Sequence, residues 1–320
     1  MRYGLVFVAI CASAVCTAQT SVASDARTIR IWGHGSRKGD FAGNLVRRWN
    51  EAYGRMHPQV RFEVALRGDS AAIGGVYTGA ADIALMGREI WPIEIEGFEQ
   101  ATGSKPLEIS IMTGSVDQAN HSTALAIFVH HDNPLTSLTM EQLDAIFGAG
   151  HRRGPKNIRK WDELGSTGDW AGREIHPYGF AIRHDYGQFF ERAVMGGSQK
   201  WNCALHEFSP DQRRQILEAL AKDRYGIAMA SLADRNPNCK TIAIDGILPT
   251  RDAVMSRRYP LSRPVSLVVR RSPMPPLVSE YIAFLLSREG QQIVARDGGY
   301  LPLPESIARQ ERRKLIEARP

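Results

Sequence analysis

The sequence predicts an α/β fold with largely parallel sheets, and three observations carry that expectation. Short β-rich runs alternate with segments of helical apolar spacing through almost all of the 320 residues. The first three runs, Thr28–Trp32, Arg61–Leu66 and Asp82–Met86, each break into a turn that holds Gly, Ser, Asp or Arg. No internal repeat or low-complexity stretch interrupts the pattern, and strand–helix alternation of this kind builds sheets covered by helices.

At the start of the chain, residues 1–23 read as a secretory leader. Arg2 supplies the positive end, Leu5 to Val15 the apolar core, and Ser21-Val22-Ala23 the small-residue cleavage site. The apolar run is too short to span a bilayer comfortably. Val15 before Cys16 fits a lipid-attachment site poorly. Export to the periplasm with cleavage is therefore expected. The remaining 297 residues suffice for one large or two ordinary domains. Without Arg2 the formal charge falls from +6 to +5, a mild excess that suits a small anion. The dense basic stripe with interleaved aromatics that marks a nucleic-acid binder is not in the sequence.

The elements follow in order. Thr28–Trp32 is a strand that turns at Gly33-His34-Gly35-Ser36. A helix from Phe41 to Tyr53 follows, with Phe41, Leu45, Trp49 and Ala52 on one face. Arg61–Leu66 is the second strand, broken by Gly68-Asp69-Ser70 before a short helix through Ile73 and Val76. The third strand ends at Gly87-Arg88. Trp91 to Gly103 is a helix or loop over the first domain, and Leu107–Met112 is a strand. The chain crosses into a second domain within 112–124.

There Thr123–Val129 is a strand. Thr139 and Gln142 form a capping box for a helix presenting Leu143, Ile146 and Phe147, which Gly148 ends. Ile175–Ile182 is a strand that ends at Arg183, and Tyr186–Met195 a helix. Ser209 and Gln212 make a second capping box with Pro210 at its first position, opening a helix to Lys222. Strands at Tyr225–Met229 and Thr241–Ile244 precede Pro264–Val269, the return crossing. Helices at Pro276–Leu286 and Glu289–Ala295 stop at Gly298-Gly299, and Glu305–Pro320 is a charged amphipathic helix or a frayed tail. The first domain is thus 24–112 plus 265–320, and the second 113–264.

Chemistry is expected where the first three strands end. Orphan N–H groups and the dipole make helix N-termini attractive to anions, and ligands of open α/β sheets lie beyond the carboxyl ends of the strands. The expectation is an anion-binding cleft. Cys203 and Cys239 survive cleavage; an isolated pair in an oxidising compartment reads as a disulfide rather than a metal site. His130-His131 looks like a metal pair, but neighbours on a strand point to opposite faces. His184-Asp185 looks like an acid–base pair, but adjacent side chains orient each other poorly. With no metal-ligand cluster and no nucleophile elbow, no catalytic residue, metal or cofactor is nominated.

Several segments, in order, resemble the periplasmic phosphate-binding proteins of phosphate ABC transporters, among the type II periplasmic binding proteins. They are Gly33-His-Gly-Ser36, Gly79-Ala-Ala-Asp-Ile-Ala-Leu-Met-Gly-Arg88 and Asn133-Pro-Leu-Thr-Ser-Leu-Thr-Met-Glu-Gln-Leu-Asp-Ala-Ile-Phe147. Trp161-Asp-Glu-Leu-Gly165, Tyr225-Gly-Ile-Ala-Met229, Tyr259-Pro-Leu-Ser-Arg-Pro264 and Gly290-Gln-Gln-Ile-Val294 complete the set. The resemblance covers nearly all of the mature chain. It implies two lobes joined by two crossings and closing by hinge motion, an oxyanion ligand and an ABC permease as partner. A monomer without enzymatic activity is the accompanying expectation.

Carried over residue by residue, the resemblance nominates Gly35, Ser36 and Arg37 in the first loop, and Asp69 and Ser70 in the second. Gly87 and Arg88 follow in the third, and Arg183 and Tyr186 in the second domain. It also marks departures. Gly87 stands where phosphate-selective members have Asp and others Ser. Tyr186-Gly187-Gln188-Phe189 replaces a Gly-Ser-Gly-Thr run that would supply two hydroxyl donors. A different oxyanion, or a phosphorylated or carboxylated ligand, stays open on these grounds. So do a degenerate surface, secretion-linked or sensory interaction protein and a phosphatase-like hydrolase using His34, Ser36 and His184.

Overall fold

The alternation in Thr28–Gly33 buries Ile29 and Ile31 and leaves Arg30 and Trp32 part exposed, and this strand, β1, sits inside a five-stranded sheet. The structure is a computed structural model and describes residues 27–34, 41–119 and 121–318. The expected leader, 1–23, lies outside the described residues. No helix among them is long and apolar enough to cross a membrane.

After β1 come α1 (Phe41–Met56), β2 (Arg61–Ala65), α2 (Asp69–Thr78), β3 (Ile83–Met86), α3 (Pro92–Thr102) and β4 (Leu107–Thr113). The chain then builds elsewhere β5 (Leu125–His130), β6 (Ser137–Leu138), α4 (Met140–Phe147), β7 (His176–Phe180), α5 (Asp185–Met195) and β8 (His206–Phe208). It continues through α6 (Arg213–Leu220), β9 (Gly226–Ser231), β10 (Cys239–Thr241), β11 (Ala243–Ile244) and α7 (Arg251–Met255). It returns with β12 (Pro264–Val269), α8 (Pro276–Leu285), α9 (Arg288–Asp297) and α10 (Glu305–Glu317).

The sheets share one plan. The first has the order β2-β1-β3-β12-β4, the second β10-β5-β9-β7-β8. In each, four strands run one way and one runs against them: β12 in the first, β5 in the second. Both antiparallel strands are the first that the chain makes after crossing from the other sheet. The fold is therefore the two-lobed α/β arrangement, with one reversed strand per sheet.

Each lobe has its own core. Leu45, Trp49, Tyr281, Ile282, Val294 and Leu315 of α1, α8, α9 and α10 cover one face of the first sheet. Ala72, Ile73, Val76 and Phe98 of α2 and α3 cover the other. In the second lobe Phe147, Trp161, Phe180, Phe190 and Leu220 pack around β5 and β9. Two hydrogen bonds lace the crossings together, Gly114 N to Arg263 O at 2.8 Å and Leu125 N to Leu261 O at 3.2 Å.

Two open expectations are decided in favour of helix, and others are corrected. Residues 92–102 are helical, and the C-terminal stretch is the helix α10, because Ala308 and Leu315 dock on the first core. The second capping box opens a 3-10 turn, Pro210–Gln212, before α6 starts. The single strand expected at 241–244 divides, since β10 pairs with β5 while β11 pairs with β6. His130 closes its strand but His131 already belongs to the turn, so their rings lie 4.5 Å apart rather than on opposite faces. With Asp132 they form a surface cluster of possible metal ligands, beside which Arg224 lies 3.8 Å from the Asp132 carboxylate.

The disulfide is also corrected: Cys203 and Cys239 are both free. Cys239 opens β10 at one edge of the second sheet, whereas Cys203 lies three residues before β8 at the other edge. Four strand spacings amount to about 19 Å, far beyond the Cα separation that a disulfide spans. The Cys239 thiol accordingly sits in a desolvated spot, pushed up to about 11 by burial. Thiol titration of unfolded, unreduced protein comprising residues 24–320 should count two thiols, and a count of zero would restore the bridge.

Candidate functional site

Close packing at the ends of β1 and β3 builds the first wall of the site. Gly33 lets β1 approach β3: a Cβ there would lie 2.7 Å from the Leu85 Cβ. His34 N then donates to Leu85 O at 2.7 Å. Asp69, the first residue of α2, ties these turns together. Its Oδ1 accepts from Gly87 N at 2.7 Å, and its Oδ2 lies 3.4 Å from His34 Nδ1. That hydrogen bond raises the His34 pKa; burial opposes it, and attraction to Asp69 and Asp185 supports it.

The second lobe supplies the opposite wall. β7 ends at Phe180, and a turn closed by His184 N donating to Ala181 O at 2.8 Å leads into α5. His184 is the N-cap, and its Nδ1 stands 2.7 Å from Asp185 Oδ1, so these neighbours do form a pair where poor mutual orientation was expected. Burial alone would raise Asp185. The His184 ring and the charge of Arg263 overcome it and hold the carboxyl at about 2.

Arg263 joins the walls. It lies immediately before β12, with its side chain 1 % exposed. Its guanidinium reaches Glu89 of the first lobe at 3.3 and 3.4 Å and Asp185 of the second at 3.4 Å. It also lies over the Tyr186 ring, 4.4 Å from the centroid. Burial works against the charge, and the two carboxylates overcome it, so the pKa is raised. Around this guanidinium lies a cavity of about 460 Å3 lined from both lobes by His34, Asp69, Gly87, Asp185, Tyr186 and Arg263, among others. The N-termini of α2 and α5 open on it.

The nominated residues separate into groups. Asp69, Gly87 and Tyr186 line the cavity together. Arg88 stands apart from its lining: its fork is closed on Glu94 at 2.6 and 2.8 Å, stacked on Trp91 at 3.9 Å and bonded to Ser70 Oγ at 3.1 Å. Ser70 is thus occupied by Arg88 and is otherwise exposed. Arg183 does not face these turns. Its place in the tight turn after β7 puts it at the surface, in a separate depression with Gln188, Glu191 and Glu207. Gly35, Ser36 and Arg37 lie outside the described residues.

Sequence reasoning did not nominate Arg263, Asp185 or Glu89 for the site. A signal for Arg263 was present: it is a lone cation immediately before a run that reads as a buried strand. The two arginines differ in a way that magnitudes decide. Charge-assisted N–H···O bonds run about 2.7–2.9 Å. Arg88 meets that length with Glu94 and is spent; Arg263 makes only longer contacts, leaving it the better placed to close on a further oxygen.

Two lobes that each receive a strand after a crossing, with a charged cavity between them, define the architecture of a two-lobed solute-binding protein. The sequence matches the PBP superfamily domain over residues 39–289. It is 32% identical over 292 residues to the phosphate-binding protein PstS of Pseudomonas aeruginosa, covering 86% of this chain and 84% of that one. Among solved structures, it resembles PstS from Borrelia burgdorferi, with a TM-score of 0.60 and 15% identity over 87% of this chain and 99% of that one. It also resembles an ABC-type phosphate transport receptor from Vibrio cholerae, with a TM-score of 0.57 and 22% identity over 86% of this chain and 100% of that one. The chain belongs to the PBP superfamily and, within it, to the PstS-like family.

Proposed function

We propose that the chain is an exported solute-binding protein that captures phosphate or a closely related oxyanion in its interlobe cavity and hands it to an ABC permease, without catalysing a reaction. The lobes are 24–112 plus 265–320 and 113–264, moving about the two crossings. The observation that carries this reading is the convergence of two helix N-termini, one from each lobe, with His34 and Arg263 on one cavity. Helix N-termini and a buried guanidinium both favour negative charge, and a desolvated site strengthens each hydrogen bond to it. The relatives named as phosphate-binding proteins support the same ligand class.

In this reading Asp69 and Gly87 shape one wall, Arg263 and Tyr186 the other, and Gly35, Ser36 and Arg37 supply the first loop. Ser70 and Arg88 brace that wall from behind. Arg183 contributes only if closure turns its loop inward. Residues 1–23 are the cleaved export leader, and the mature chain acts as a monomer in the periplasm.

Calorimetric titration of the mature protein with phosphate and with sulfate tests the proposal. Saturable binding of one anion, at micromolar concentration or below, is the expected result. Absence of heat with both at millimolar concentration would overturn it in favour of a degenerate interaction protein. Turnover of a chromogenic phosphate ester would overturn the non-enzymatic part.

A further inference from the structure

We propose that His34 is a ligand-contacting cation of the interlobe cavity, and that the bare backbone of Gly87 exists to make room for it. The inference rests on the oxyanion-binding reading above and adds the residue that sets how binding depends on charge.

Space is the first argument. A Cβ built on Gly87 would lie 2.5 Å from His34 Cγ and 2.7 Å from both Cδ2 and Nδ1. Atoms do not approach that closely, so any side chain at this position and the imidazole in its present place exclude each other. Gly87 does not have a positive φ, so the backbone itself does not call for glycine. The ring occupies the volume that a larger residue would fill.

Orientation is the second. Asp69 divides its carboxylate between Gly87 N and His34 Nδ1, fixing the ring relative to the turn that it replaces. Among the described residues no hydrogen bond is made to the other ring nitrogen, Nε2, and the ring lines the cavity. A donor held from behind, with no partner in front among the described residues, is what an anion oxygen needs.

Charge is the third. The groups acting on His34 come from three elements, Asp69 on α2, Asp185 on α5 and Arg263 before β12, while His34 itself acts on His121 in the loop after β4. The Asp69 hydrogen bond outweighs burial and the repulsion of Arg263, so the proton is held above the ordinary histidine range. A group whose pKa is raised this way carries its charge fully below that range and loses it as pH rises through the raised value. Anion binding should weaken over the same interval.

The test is the dissociation constant for inorganic phosphate, measured by calorimetry from pH 5.5 to 9, for the unaltered chain and for His34→Gln. Their ratio at each pH cancels the ionisation of phosphate itself. A charge-assisted bond predicts that the variant binds about ten-fold more weakly near pH 6, with the ratio falling toward one by pH 9. Gly87→Ala, which evicts the ring while leaving the histidine in the chain, should flatten the profile in the same way. A ratio that does not change with pH overturns the assignment while leaving phosphate binding intact. Failure of the unaltered chain to bind phosphate at any pH overturns both.

Discussion

Replacing Arg263 with alanine should abolish oxyanion binding and remove about 3–5 kcal/mol of folding stability. The side chain is 1 % exposed and is the cation between Glu89 of one lobe and Asp185 of the other. Truncation leaves these carboxylates desolvated and facing each other, with Arg192 at 3.6 Å the remaining cation on Glu89. Asp185 would respond by rising from its depressed value of about 2. A depressed carboxyl contributes stability that is present above its unfolded pKa and is lost as pH falls toward 2, so the alanine variant should lose part of that acid dependence. Urea unfolding at pH 7 and pH 3, alongside phosphate titration, measures each part. Arg263→Met separates the roles, because it restores packing volume without charge. If either variant binds phosphate as tightly as the unaltered chain, Arg263 is a structural ion pair and not a ligand.

Gly114→Ala should destabilise the protein by about 3 kcal/mol, the upper end for overpacking, and disturb the cleft. A Cβ there would fall 1.7 Å from the Ser122 carbonyl oxygen and 2.6 Å from its carbon, both backbone atoms that no rotamer change can move. Relief requires the segments at 114–115 and 121–124 to part. That strains Gly114 N to Arg263 O at 2.8 Å and Ser115 N to His121 O at 2.9 Å. It also displaces Ser122, whose hydroxyl donates to Gly87 O beside the cavity. Binding and stability should therefore fall together. Full retention of both, by calorimetry and thermal unfolding, would show the crossing to be more pliable than its hydrogen bonds suggest.

Much of the fold could be read from local pattern. β12 runs over the very residues expected, Pro264–Val269, because a short valine-rich run that opens on a proline and ends at two arginines has few other solutions. The Thr139–Gln142 capping box forms as written, since both of its bonds lie within one helical turn. β6 and β8 were too short to register as strands.

The cleft was legible only as far as chain neighbours decide it. The turns after β1, β2 and β3 were placed at one sheet edge, and Asp69 and Gly87 are there. Arg263 was not found, because its partners Asp185 and Glu89 are 78 and 174 residues away in sequence. The error over Arg183 has the same origin. A strand end names a side chain, but the turn that follows aims it. Cys203 and Cys239 looked like partners in composition and sit at opposite edges of one sheet.

The reversed strand in the first lobe sets an order of assembly. β12 lies between β3 and β4, yet it is made only after every strand of the second sheet has been made. A chain delivered from its N-terminus can therefore complete the later lobe while the earlier one still has a gap in its middle. Until Pro264 arrives, the wholly apolar edge of Ile83–Met86 has no neighbour on that side, and this is the interval in which the nascent protein is open to wrong pairing and to chaperones.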